Sequence, residues 1–197
     1  MKLHHVITTV AASCALLASP ALLAQGTGTT TPKATSPNSM GTASSHKESD
    51  LARGDRNFLE NAAQGGHAEI EGSKLAQQKA ASADVKSFAS RMIEDHTKVG
   101  EELVKLASTK GYTPPTEPSM IQKGELKALS ALQGARFDKL YASRIGVAAH
   151  ESTLKMFREA SQNAKDPDIK AFAAKHVPDL EKHLQMARDL DKKVGSE

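Results

Sequence analysis

The sequence has very little cysteine and few aromatic residues. Its only cysteine is Cys14, tryptophan is absent, and aromatic residues make up 4% of the 197 residues. A single cysteine cannot form a disulfide within the chain, so the fold must be held together by side-chain packing. Stacking rings and clustered bases, which nucleic-acid-binding proteins use, are also lacking, and the net charge is only +3. We therefore expect no nucleic acid partner.

The motifs of several enzyme classes are missing as well. There is no glycine-rich phosphate loop, no Cys-x-x-Cys-His haem motif, no His-Glu-x-x-His zinc motif and no serine elbow. Serine and threonine occur mainly at predicted helix starts and in a segment near the N-terminus. We predict no catalytic residues, which favours a non-enzymatic role and leaves enzymatic activity as the alternative.

The first part of the chain is typical of export. Residues 1–24 have a positive charge at Lys2 and an interrupted apolar run, which predicts a signal peptide cleaved after Ala24. Residues 25–49 are rich in Ser, Thr, Pro and Gly and predict a disordered linker. We expect a periplasmic or cell-envelope protein. Membrane association is expected only if the signal is uncleaved, or if Cys14 accepts a lipid.

The remaining residues, 50–194, carry apolar residues at helical spacing. No segment alternates with period two, so we expect no sheet. The fold class predicted is all-α, an antiparallel four-helix bundle with one short extra helix in the middle crossover. The predicted helices are residues 55–80, a second from the cap Ser82 to Gly111, a short one from the capping box of Ser119 and Gln122, residues 135–160, and a last one from Pro167 to Gly195.

Several ionisable residues lie on or beside these apolar stripes. A carboxylate or imidazole turned into a bundle loses its hydration unless a partner, a water or a metal compensates it. We therefore predict a polar centre and a candidate metal site, for which iron, manganese or zinc are the expected ions. Its candidate ligands are Glu69, His96, His150 and His183.

Each candidate also has a structural interpretation. Glu69 could instead pair with a lysine or arginine at the edge of its stripe. Asp95 and His96 are adjacent, so at most one points directly inward, and the carboxylate could orient an imidazole. His176 and His183 are seven residues apart, roughly 10 Å along a helix, so only one can join a common site.

Of these two histidines we favour His183. Asp179, four residues before it, is the expected local partner. Taken alone, a histidine on a helix is more often structural than a ligand.

The helical part of the chain resembles a known family, the domain of unknown function 4142. The resemblance implies an exported bacterial protein with a ferritin-like fold and no settled activity. It covers most of residues 50–192 and is carried by Phe58 to Ala63, Glu69-Ile70, Leu75-Ala76, Val85 to Ala89, Met92 to His96, Phe137-Asp138 with Tyr141, His150, and Leu180 to His183.

The sequence departs from the ferritin-like di-iron proteins. Their sites require a Glu-x-x-His pair on each of two helices. Ile93 and Leu180 occupy the positions three residues before His96 and His183. We therefore predict that the protein is not a di-iron oxidase of that type.

Two functions remain open. The first is a non-enzymatic binding or stress-protective module of the cell envelope, whose polar centre holds the helices in register. The second is a divergent ferritin-like protein that binds a metal or carries out redox chemistry at that centre. An envelope component is the expected partner, and the sequence leaves its identity and the oligomeric state open.

Overall fold

The computed structural model describes residues 51–195, and their secondary structure is entirely helical, as predicted. The predicted signal peptide, the linker and Cys14 lie outside the described residues. None of the helices in the described part of the chain is long and apolar enough to cross a membrane. The elements are α1 (Arg53–Lys79), α2 (Ala83–Thr109), α3 (Met120–Ser130), α4 (Gly134–Leu140), a π-helical segment (Tyr141–Ala148), α5 (Ala149–Asn163) and α6 (Pro167–Gly195).

Most of the predicted helix boundaries are confirmed. Ser119 and Gln122 form the capping box at the start of α3. Asp166 accepts hydrogen bonds from the backbone at the start of α6, and Gly111 follows α2 with a φ of 66°. The cap predicted at Ser82 is wrong in its chemistry. The side chain of Ser82 makes no capping hydrogen bond, and its backbone N–H donates to Asp138 Oδ2 at 2.8 Å.

The predicted third long helix is continuous but not regular. The α4 helix, the π segment and α5 follow one another without a break from residue 134 to 163. In the π segment each backbone carbonyl accepts a hydrogen bond from the N–H five residues later, in place of four. Each hydrogen-bonded turn therefore contains one more residue than in an α-helix. Apolar spacing did not indicate this irregularity.

The helices associate as two closely packed pairs. α1 packs along α2 and α5 packs along α6, and each pair is joined by a connection of three residues. α6 also contacts α2 and the π segment, which joins the two pairs. Side chains of all these elements therefore meet in a shared interior.

This interior has an apolar cluster toward each end of the helices. One cluster includes Val85, Phe137 and Val194, and the other includes Leu59 and Ile169. All five side chains are almost completely buried. Because the clusters occupy opposite ends of α1, α2 and α6, the middle of these helices is left for the polar residues.

Two buried carboxylates hold the ends of the domain together. Asp55, at the start of α1, accepts hydrogen bonds from the backbone N–H groups of Lys165 (3.0 Å) and Asp166 (2.7 Å) in the connection between α5 and α6. Asp138, in α4, accepts from Ser82 in the connection between α1 and α2. The connection between α5 and α6 is thus bonded to α1, and the connection between α1 and α2 is bonded to α4, which continues through the π segment into α5.

The contacts of Asp55 predict a measurable loss of stability. Replacing Asp55 by Ala removes a charged acceptor from two backbone donors, and we expect the free energy of unfolding to fall by about 2 kcal/mol. Urea unfolding monitored by circular dichroism measures this change. Glu71→Ala, at an exposed position of the same helix, is the control and should change the free energy by less than about 0.5 kcal/mol. Equal effects of the two variants would contradict the assigned role.

Candidate metal centre

Three imidazoles from three helices meet between the two apolar clusters. His96 belongs to α2, His150 to the first turn of α5 and His183 to α6. One ring nitrogen from each lies within 4.8 Å of the other two, and all three residues are buried. Glu69 of α1, exposed to only 2%, contacts His96. The fold thus brings together all four residues predicted as metal ligands.

The partners of His150 define which of its nitrogens is protonated. Nδ1 lies 2.7 Å from the carbonyl oxygen of Gly146 and 3.2 Å from that of Ile145. A carbonyl only accepts hydrogen bonds, so Nδ1–H is the donor and Nε2 carries the lone pair. Nε2 is the nitrogen that faces His96.

The π segment supplies both of these carbonyl groups. Ile145 and Gly146 lie in it, five and four residues before His150, so the ring lies over the irregular turn. A Cβ atom on Gly146 would be 3.3 Å from Cβ of Ala187, which shows how closely the π segment approaches α6. Glycine at this position therefore lets His150 come near His183.

The partner of His183 comes from another helix. Nε2 lies 3.0 Å from Asp95 Oδ2, so Nε2–H donates to the carboxylate. Nδ1 is buried and has no hydrogen-bond partner within residues 51–195, so its lone pair is unused. The predicted local pairing with Asp179 is wrong, because Asp179 accepts from Lys182 at 3.0 Å. Asp95 instead orients an imidazole that belongs to α6.

His96 lies between Glu69 and His150. Its Nδ1 is 3.0 Å from Glu69 Oε2, although the contact lacks the alignment of a linear hydrogen bond. The other carboxylate oxygen, Oε1, accepts from the hydroxyl of Thr153 at 3.3 Å. Among residues 51–195, Glu69 thus contacts a histidine and a threonine in the interior, and not a lysine or arginine at the edge of its stripe. We assign the proton of His96 to Nδ1, beside the carboxylate.

This assignment places two lone pairs opposite each other. His96 Nε2 and His150 Nε2 are 3.3 Å apart. Without a metal, the contact is a hydrogen bond if the proton of His96 is on Nε2, because Nε2–H then donates to the lone pair of His150. With the proton on Nδ1, both lone pairs are free to bind an ion between the nitrogens. A tetrahedral ion with bonds of 2.0–2.1 Å holds its ligand nitrogens about 3.3–3.4 Å apart, which agrees with the observed distance.

Burial favours the neutral form of two of these rings, His183 and His96. It lowers the pKa of His183 to about 4, from an ordinary value of 6.5, and the neighbouring His96 adds to the shift. Burial also lowers the pKa of His96, against the opposing effect of Glu69. Neutral imidazole is the form that binds metal ions.

His176 lies outside the cluster. Its Nε2 is 3.1 Å from Glu102 Oε2, and its ring packs edge-on against Phe172. Only one of the two histidines on α6 therefore joins the centre, as the spacing of seven residues indicated. Two contributors were not predicted, Gly146 and Thr153. They lie four residues before and three residues after His150, so helical spacing from that histidine would have placed them near it.

The comparisons with known proteins agree with the sequence pattern. The family model described as Domain of unknown function (DUF4142) matches residues 40–190. The chain belongs to this family. A comparison with curated proteins finds no match.

Two solved structures share the fold of this DUF4142 protein. A DUF305 protein from Streptomyces coelicolor, described as secreted, aligns with a TM-score of 0.60 at 16% identity, over 72% of this chain and 94% of its own. A conserved hypothetical protein from Mycobacterium tuberculosis aligns with a TM-score of 0.53 at 16% identity, over 73% and 92%. At these identities the likeness concerns the fold alone.

The lowered pKa values predict loss of stability in acid. Without metal, the unfolded chain binds protons at its histidines near pH 6.5, whereas folded His183 remains neutral to about pH 4. We expect the free energy of unfolding of metal-free protein to fall as the pH is lowered through this window. Urea unfolding at a series of pH values measures it. The dependence should be weaker in His183→Gln and unchanged in His67→Gln, a histidine outside the cluster, and an equally steep profile in His183→Gln would contradict the explanation.

Proposed function

We propose that this DUF4142 protein binds one divalent transition-metal ion between His96, His150 and His183. The observation that carries the proposal is the position of three ring nitrogens, one from each residue, within 4.8 Å of one another in a buried site. The assigned ligand atoms are Nε2 of His96, Nε2 of His150 and Nδ1 of His183. These are the nitrogens left with a lone pair once the partners of the opposite nitrogens are assigned.

The surroundings of the rings support the same proposal. Imidazoles that bind metals nearly always donate their other N–H to a carboxylate or a backbone carbonyl, which fixes the tautomer and the ring orientation. Here the opposite nitrogens face Glu69, Gly146 and Asp95 respectively. We therefore assign Glu69, predicted as a ligand, to orienting His96 and balancing the charge of the ion.

The donor set favours zinc over the other expected ions. Imidazole nitrogen suits zinc, copper, iron and nickel, whereas manganese prefers oxygen ligands. Three imidazoles around one ion, with a position left open, is an arrangement found for zinc. Among iron, manganese and zinc, zinc fits best, iron second and manganese least.

The fold and location that we propose follow the same reasoning. Helix pairs with short connections favour an antiparallel four-helix bundle of the ferritin-like type, with α3 in the crossover.

Export to the periplasm or cell envelope is supported by the composition of residues 1–24 and by the Streptomyces relative, which is described as secreted. The competing hypothesis is a binding or stress-protective module whose polar centre holds the helices in register without a metal.

Metal analysis of purified protein separates the two hypotheses. After equilibration with zinc and removal of excess metal, we expect about one ion per folded chain, and none in His150→Ala. Plasma emission spectrometry measures the content, and circular dichroism checks that the variant remains folded. His176→Ala removes a histidine of the same region outside the cluster and should retain the ion. A folded wild-type protein that retains no zinc would reject the metal hypothesis in favour of the register hypothesis.

The role assigned to Asp95 gives a second measurement. Loss of a carboxylate that orients a metal-bound imidazole typically weakens affinity 10–100-fold. We expect Asp95→Ala to raise the dissociation constant for zinc by roughly this factor, as measured by competition with a chromophoric chelator. Glu94→Ala removes the adjacent, exposed carboxylate that pairs with Lys98 and is the matched control. Equal affinities of the two variants would show that Asp95 does not support the site.

A further inference from the structure

An apolar cavity of about 450 Å³ lies beside the histidine cluster. Residues of α1, α2, α5 and α6 line it, among them Ala62, Val99, Leu103, Phe157 and Leu180. Its volume is within the range of small-molecule sites, which are typically apolar with a few convergent polar groups. The cavity therefore has the size and the lining of a ligand site.

Three of the polar residues that line the cavity belong to the proposed metal centre, and charged residues outside it, Lys105 and Asp179 among them, also line the cavity. His96, His183 and Glu69 line the cavity, whereas His150 does not and is completely buried. The side of the cluster occupied by His150 is closed by the π segment. A metal ion held by the three rings would thus have its open position on the side of the cavity.

Two glycines leave space in the cavity wall. Gly66 of α1 and Gly100 of α2 both line it, and outside the adjacent residues and the backbone of their own helix no heavy atom lies within 4 Å of a Cβ built on either residue. Glycine in the interior of a helix is unfavourable relative to alanine. At these positions the sequence therefore leaves volume open where larger side chains would fit and would fill it.

The charges at the centre restrict the kind of ligand. Imidazole binds a metal ion in its neutral form, so the charge of a divalent ion would be balanced by the carboxylates of Glu69 and Asp95, the second of which also pairs with Arg91 at 3.3 Å. A further charge placed against the apolar part of the cavity wall would lose its hydration, which is costly. The donor atom that completes the coordination should therefore be uncharged.

We infer that the cavity binds a neutral small molecule with an apolar body and a single nitrogen or oxygen donor, and that the donor completes the coordination of the ion. The body would fill the space between Gly66 and Gly100. This inference rests on the proposed metal-binding function, because the donor requires the ion.

Cobalt-substituted protein provides the test, since the visible spectrum of Co²⁺ changes when a fourth ligand binds. Two probes are titrated, imidazole as a donor without a body and 4-phenylimidazole as a donor with an apolar body. We expect 4-phenylimidazole to bind at least tenfold more tightly than imidazole. Gly66→Leu should lower the affinity for 4-phenylimidazole at least tenfold. It should leave the cobalt content and the affinity for imidazole unchanged.

The control is Gly124→Leu, a helical glycine in α3 that also has open space around its Cβ but does not line the cavity. It should bind both probes like the wild-type protein. If Gly66→Leu fails to fold, Gly100→Leu replaces it and should give the same result. Both variants are checked for helical content by circular dichroism.

Three results would overturn the inference. The first is equal affinity for the two probes, and the second is unchanged 4-phenylimidazole binding in a folded cavity-filling variant. The third is calorimetric binding of 4-phenylimidazole to metal-free protein as tight as to the cobalt form, because the donor would then not act through the ion. In each case a normal cobalt content would still support the proposed metal-binding function. A wild-type protein that binds no cobalt would reject both the metal-binding function and the ligand inference.

Discussion

The structure depends on how buried imidazoles satisfy their N–H groups. A ring taken out of water needs an acceptor for its proton, and each of the three rings lies beside one on a different element, although only the contacts of His150 and His183 are aligned as hydrogen bonds. His96 faces the carboxylate of Glu69, His183 donates to Asp95, and His150 donates to backbone carbonyls. With the rings oriented by these acceptors, one nitrogen of each lies within 4.8 Å of the other two. A candidate site thus arises from the rules that govern any buried polar group.

The π segment is the structural element that makes this convergence compatible with close packing. It turns the carbonyls of Ile145 and Gly146 toward the ring of His150 and brings the backbone close to α6. The approach to α1 is equally tight, since a Cβ on Gly72 would lie 3.2 Å from the side chain of Ile145. At its first residue, Tyr141 shares a hydrogen bond of 2.8 Å with Ser73. The segment therefore contacts both neighbours and sets the distance between them.

Most of the fold could be predicted because it follows from local chemistry. Apolar residues at intervals of three and four define the buried face of each helix, and Ser119, Asp166 and Gly111 mark boundaries through bonds or dihedral angles within a few residues. The side chain of Ser82 makes no capping hydrogen bond, and the acceptor for its backbone N–H is Asp138, 56 residues away. A capping rule that considers only neighbouring residues cannot include such a partner.

The candidate site also has features that follow from the spacing of nearby residues and features that depend on contacts between distant ones. The sequence by itself determined which polar residues lie on the inner faces, that only one of His176 and His183 could join the centre, and that the pattern of the di-iron proteins is absent. Only the tertiary structure decided that Asp95 accepts a hydrogen bond from a histidine of α6, that Glu69 contacts His96, and that a cavity reaches the cluster. Helical spacing fixes the direction of a side chain from its own axis. The residue that it meets depends on how the axes are rotated and shifted against each other, and the packing of the whole interior sets that arrangement.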